Sequence, residues 1–274
     1  MFADGHRASR DPLQGATTNW KQTLPSMKTS SIYIGTSGWS YKSWAGNFYP
    51  PDLSASRQLE FYTTKFPTVE INRTFYRLPT EKTFEEWNRK ASPGFLYSIK
   101  GSRAVTHFKR LRPGAKSLPL LINRSRSLGN HRGPMLWQLP GTLKKDVGRL
   151  TRFLRTLSRQ VLHAIEFRDP SWMDKEVFQV LRRHRIANVA LSGKTMPMHL
   201  EITTNFVYVR FHGLEGGAAH DYTDRELRPW AKFLRGCAKE GLTGFVYFNN
   251  DMNTRAPLNA LRLMELVGPS AVKA

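Results

Sequence analysis

The chain has 274 residues, 40% of them hydrophobic, and a single cysteine, Cys237. That is enough apolar material for one large core; one cysteine excludes an internal disulfide and fits a reducing cytoplasm. The formal net charge is +21 and uneven: residues 100–159 carry fifteen Lys or Arg against one acid, Asp146, a net of +14, so a polyanionic partner or a strongly solvated surface is expected there.

No apolar run approaches the length of a membrane span. The opening stretch, MFADGHRASRDPLQGATTNWKQTLPSMKTS, is polar and has no apolar signal core. Residues 1–27 therefore read as a mobile extension and 28–274 as one domain. Met27, just before the first strand, is an alternative start.

The first apolar run, 32–39, reads as a strand, followed by a helix over 53–65 with Ser54 as its N-cap candidate. A second strand over 68–76 leads to a helix over 81–90. After a third strand, 95–102, the segment 112–129 is broken by Pro113 and Pro119. A fourth strand, 134–140, precedes the clearest helix: Leu143, Val147, Leu150, Leu154 and Leu157 form one apolar stripe, with Lys145, Arg149, Arg152, Arg155 and Arg159 on other faces. Strands over 162–168 and 188–193 enclose a helix over 174–185, and an irregular sixth unit, 196–203, holds Pro197. The last strands, 206–213 and 244–251, alternate with helices over 223–240 and 256–267; Cys237 falls in the first of these, where a buried, unreactive thiol is expected. Eight strand–helix units in one domain predict an α/β fold, a single TIM-like (β/α)8 barrel whose site lies at the C-terminal strand ends.

Strand parity identifies the inward face. Glu70 and Asn72 oppose Val69 and Ile71; Lys100 opposes Ile99; Gln138 opposes Trp137; Glu166 and Arg168 oppose Ile165 and Phe167; Arg210 and His212 oppose Val209 and Phe211. The apolar sets meet the helices, so the polar sets point into the barrel. They would form either a site or a self-neutralising structural network.

The runs GTSGWSYKSWAGNFYP (35–50), EINRTFYRLP (70–79), KGSRAVTH (100–107), WQLP (137–140), EFRDPSW (166–172), VRFHG (209–213) and YFNND (247–251) occur in this order. Together they resemble the YecE-like family, catalogued as domain of unknown function 72, over residues 32–267. The resemblance implies a TIM-like barrel but no reaction. It marks Gly38, Trp39, Trp44, Tyr49, Glu70, Asn72, Phe75, Tyr76, Lys100, His107, Gln138, Glu166, Arg168, Trp172, Arg210, His212, Gly213, Asn249 and Asp251 as matching positions. Where the family often has an acid near the sixth strand end, this chain has Leu191, Ser192 and Gly193.

Paired carboxylates can divide acid and base work. Arg168 beside Glu166 should lower its pKa by about 1–3 units, making Glu166 the base; Glu70, beside neutral Asn72, is then the acid, and His212 a proton carrier. Lys100, Arg168 and Arg210 would hold a phosphate or carboxylate. Asn72, His107, Gln138, Asn249 and Asp251 complete the substrate-binding set, with Trp39 and Trp172 either stacking on substrate or packing. Glu70, Glu166, His107, His212 and Asp251 could also ligate a metal, as in zinc barrels that include endonucleases cutting at abasic sites. No HExxH spacing is present and the inward cations repel a divalent ion, so metal is not favoured. No Walker or Rossmann loop is present, so no nucleotide cofactor is expected.

The leading expectation is a hydrolase acting on an anionic, phosphate-bearing substrate, nucleic acid included. The alternatives are a glycoside hydrolase using the paired carboxylates and a non-enzymatic nucleic-acid-binding barrel. For the surface formed by Lys145, Arg149, Arg152, Arg155 and Arg159, about 3–5 phosphate contacts predict a log–log salt slope near −3 to −4.

Overall fold

The computed structural model describes residues 31–273. Eight parallel strands close into a barrel in chain order: β1 (Ile32–Ser37), β2 (Thr68–Ile71), β3 (Leu96–Lys100), β4 (Arg132–Gln138), β5 (His163–Glu166), β6 (Ile186–Ser192), β7 (Phe206–Phe211) and β8 (Thr243–Phe248). The helices are α1 (Gln58–Thr63), α2 (Arg73–Tyr76), α3 (Glu81–Lys90), α4 (Ser117–Arg124), α5 (Val147–Leu154), α6 (Lys175–His184), α7 (Asp224–Lys239) and α8 (Arg255–Val267). The single barrel matches the expected α/β fold. Residues 1–27, with Met27, lie outside the described residues. Among the described residues no helix is long and apolar enough to cross a membrane.

The element ends differ from the sequence reading for local reasons. β2 stops at Ile71 because Asn72 opens the one-turn α2, whose Phe75 and Tyr76 had extended the apolar run. α5 is only eight residues long. The Asp146 side chain accepts from Arg149 N at its start, and Leu143 and Leu157 pack from the flanking turns. Lys145, Arg155 and Arg159 therefore lie outside this helix. The sixth unit has no helix, as its irregular sequence predicts. Asp174 caps α6, and Thr223 with Glu226 makes a reciprocal capping box on α7.

Two cores result from the strand parity. Ile34, Val69, Ile99, Trp137, Ile165, Val209 and Phe248 face the helices, and burial of each such side chain contributes roughly 1.5–3 kcal/mol. Inside the barrel, Leu136, Ala164, Val189, Phe206 and Phe245 form a second apolar plug. Toward the C-terminal end the plug turns polar. Thr68 bonds Tyr247 at 2.8 Å, Ser98 bonds Tyr208 at 2.7 Å, and the Tyr208 hydroxyl donates to Glu70 at 2.6 Å. Cys237 is buried and its thiol is pushed up to about 12, chiefly by burial, so it stays protonated.

Candidate active site

Arg210 of β7 is wholly buried and bridges two strands. Its Nη2 donates to Glu70 Oε1 at 2.8 Å and its Nη1 to Glu166 Oε2 at 2.6 Å. Glu70 also accepts from the Ser37 and Tyr208 hydroxyls. Glu166 also accepts from Gln138 Nε2 at 2.7 Å and from Arg168 Nε. Burial opposes ionisation of both acids. The charge of Arg210, joined by Lys100 at Glu70 and Arg168 at Glu166, outweighs it and holds both below the ordinary carboxylate range.

His212 completes this layer. Its Nε2 lies 3.0 Å from Arg210 Nη1 and 3.2 Å from Arg168 Nη2. Guanidinium groups only donate, so this nitrogen accepts and the ring is neutral with its proton on Nδ1. Asn249 Nδ2 is the amide atom placed 3.2 Å from Nδ1, and a proton on Nδ1 requires the amide to be turned so that its oxygen accepts there. Burial and the Arg210 charge push the His212 pKa down to about 4. Glu166, 3.7 Å away, would favour the protonated ring, but the two arginines prevail.

These contacts correct the expected roles. Glu70 is an ionised acceptor without solvent exposure and cannot be the proton donor. Glu166 is saturated by Arg210, Arg168 and Gln138, so it is not a free base. His212 is neutral with its one proton on Nδ1, and its charge does not change near neutral pH. The two carboxylates are bridged by one guanidinium and have no solvent exposure, so neither faces the open mouth as the glycoside-hydrolase alternative expected. Of the two roles left open for Trp172 the packing one is seen: it is wholly buried, stacks on Phe167 at 4.8 Å and donates to Leu143 O. Trp39 is half-buried and packs edge-on against Trp87.

The groups that reach open space lie above this layer. A cavity of about 680 Å³ at the C-terminal mouth is lined by Tyr41, Asn72, Tyr76, Lys100, Asn249 and Asp251, with Ser43, Met252 and Asn253 at its edge. Gly38 shapes one wall. Its φ is +90°, and a Cβ there would lie 2.8 Å from the Tyr41 hydroxyl, which donates to Ser37 O. Asp251 is carried by a strained loop in which Asn253 and Thr254 both have positive φ, 59° and 61°.

The Lys100 side chain makes no hydrogen bond or ion pair among the described residues; its Nζ sits 4.5 Å over the Phe75 ring. Burial and the Arg210 charge lower its pKa to about 8. Asp251 is shifted the other way, to about 6, by burial, against the Trp44 indole N–H that donates to it at 2.6 Å. Trp44→Phe removes that donor, and the Asp251 pKa is expected to rise from about 6 to about 7. Carboxyl-carbon NMR titration checks this; an unmoved Asp251 signal would contradict the assignment.

The rim holds residues that sequence reasoning missed. After β3 the chain makes one turn of π-helix, Ala104–Phe108, a distortion common at functional sites. Arg103 lies 5.5 Å from the Tyr76 ring centroid and 5.4 Å from that of Phe108. Both rings are exposed, at 66% and 70%. His107 packs edge-on against Phe75 at 5.0 Å, and burial with the charges of Lys100, Arg168 and Arg103 lowers its pKa. An exposed Phe followed by Lys109 and Arg110 was the available signal. Lys100, Arg168 and Arg210 face Glu70, Glu166 and Asp251, three cations to three carboxyls, and Arg103 at the rim adds a further positive charge. Among the described residues no group of three or more His, Cys, Asp or Glu side chains is placed to hold a metal ion.

The expected nucleic-acid surface is partly neutralised. Lys145 pairs with Asp174 at 2.9 Å and Arg149 with Asp146 at 3.1 Å. Arg152, Arg155 and Arg159 remain exposed and have no ion pair among the described residues. Three cations leave too few phosphate contacts for the expected salt slope of about −3 to −4.

The family model "Protein of unknown function DUF72" matches residues 33–274. The UPF0759 protein YunF of Bacillus subtilis (strain 168) is 25% identical over 269 residues, covering 86% of this chain and 94% of that protein. A crystal structure of a DUF72 family protein from Thermotoga maritima MSB8 superposes with a TM-score of 0.74 at 26% identity, covering 86% of this chain and 99% of that one. One from Enterococcus faecalis V583 gives 0.72 at 19% identity, covering 86% and 95%, a likeness of fold alone.

Proposed function

The chain belongs to the DUF72 family of proteins of unknown function, and we propose that within it this protein is a hydrolase acting on a small phosphate-bearing substrate held in the C-terminal cavity. The observation that carries the reading is Lys100, a partly desolvated ammonium at the cavity that feels the charges of Glu70 and Glu166 but makes no ion-pair contact among the described residues. A phosphate oxygen supplies the missing counter-charge. The Glu70–Arg210–Glu166 layer is the support beneath it: it fixes Arg168, His212 and the barrel mouth.

The acid–base work falls to the two cavity groups whose pKa values bracket neutrality. Asp251, near 6, is a base available at pH 7; Lys100, near 8, is a cation that neutralises charge developing on the phosphoryl group. Water attacks phosphorus as Asp251 takes its proton, the bond from phosphorus to the ester oxygen breaks, and that oxygen leaves as the alcohol with a proton from solvent. The exposed Tyr76, Arg103 and Phe108 support a substrate with a planar base, because aromatic faces and guanidinium planes stack on nucleobases.

The expected kcat/KM rises with pH through about 6, as Asp251 deprotonates, and falls above about 8, as Lys100 loses its proton. Competition labelling tests the site without a known substrate. At pH 8, Lys100 should react with an amine-selective acylating reagent before lysines of ordinary pKa, and inorganic phosphate should protect it. Peptide mass spectrometry reads both. No preferential labelling, or labelling insensitive to phosphate, would overturn the reading.

A further inference from the structure

The opposite mouth of the barrel holds a second cavity of about 450 Å³, where β5, β6 and β7 begin and α5 and α6 end. It is about 13 Å away along β7, counted from Phe206 to Arg210 at ~3.3 Å per residue. Leu157, Val161 and Ile186 give it an apolar floor, while Arg155, Arg159, Arg185 and His184 stand on its walls. No Asp or Glu lines it. The walls are fixed: His163 Nδ1 accepts from the Trp137 indole, and its Nε2 donates to Ser158 O.

Further observations at this cavity, and at Arg132 behind its lining residue His163, bear on its charge and shape. The His184 imidazole is held below its ordinary range by burial and by Arg155, Arg159 and Arg183. Arg132, whose charge acts on His163, has a buried Nη1 with no partner. Arg185 ends α6 in the left-handed region, φ 58° and ψ 44°, where glycine or asparagine is the ordinary choice. A strained backbone here carries a guanidinium to the cavity wall.

We propose that this cavity is a second binding site, taking a small phosphate ester whose phosphate is gripped by Arg155, Arg159 and Arg185 and whose organic part lies on the apolar floor. The volume falls within the ordinary range of small-molecule pockets, about 300–1,000 Å³. A nucleic-acid backbone is tracked by cations along an open groove; these cations surround one recess, which suits a single phosphate group. The site is independent of the chemistry at the other mouth.

The test follows the His184 ring signal by NMR, assigned by its loss in His184→Gln, while sodium phosphate replaces chloride at constant ionic strength and pH 7.5. A saturable shift is expected. Its half-saturation concentration should rise at least tenfold in Arg185→Asn and in Arg159→Gln, and stay unchanged in Lys100→Gln. Arg185→Asn suits the left-handed backbone, and Arg159 is exposed, so both variants should keep the wild-type melting temperature. The proposal is overturned by an unsaturable shift, by arginine variants that bind phosphate like wild type, or by single-stranded DNA that moves the same signal with affinity growing with oligomer length.

Discussion

Arg210→Met is expected to destabilise the protein by about 3–5 kcal/mol at pH 7, because it leaves Glu70 charged with no ion pair inside the barrel and Glu166 with Arg168 alone. For a chain of this size that is a fall of roughly 10 °C in melting temperature. The pH dependence gives the sharper signature. In the wild type both carboxyls titrate below their ordinary value of 4.5. Their contribution is thus fully present above about pH 4.5 and is lost as pH falls through the folded values. Without Arg210, burial raises the Glu70 pKa, so the variant should gain stability between pH 7 and 5 while the wild type does not. Adding Glu70→Gln and Glu166→Gln removes the unpaired charges and should recover most of the loss. A single variant that melts like wild type with the same pH slope would show that the buried network contributes nothing to the fold.

That network was legible in the sequence as positions but not as roles. Parity alone placed Glu70, Glu166 and Arg210 on one inward face, because alternation is a local property of each strand. Which carboxylate could hold a proton depends on what stands opposite. Barrel closure brings β7 within reach of both β2 and β5, and Arg210 joins two acids far apart in the chain. Glu166 could be read as ionised because Arg168 is its neighbour in sequence. Glu70 could not, since its cation lies 140 residues away. Asp251 was read only as a binding group for the same reason: its depth and its Trp44 donor, 207 residues distant, set its pKa. The α5 stripe misled differently, because Leu143 and Leu157 keep the helical phase while lying outside the helix.

Lys100→Gln separates the supporting layer from the chemistry. Lys100 has no ion pair, and burial already penalises its charge. A neutral side chain of similar reach therefore leaves no carboxylate unpaired, since Glu70 and Glu166 keep Arg210. The melting temperature should stay the same or rise slightly, the opposite of Arg210→Met. Turnover should fall by about 10²–10³, the usual cost of losing a group aimed at developing negative charge. Screening phosphate monoesters and diesters, oligonucleotides among them, supplies the wild-type activity to compare. Lys100→Arg keeps the positive charge but cannot deprotonate in the working range. It should retain part of the activity and lose the fall above about pH 8, while Asp251→Asn should abolish the rise through about pH 6 together with most of the rate. If Lys100→Gln turns over such a substrate at the wild-type rate, the cavity is not the active site. If it loses stability in step with activity, Lys100 belongs to the scaffold with Arg210.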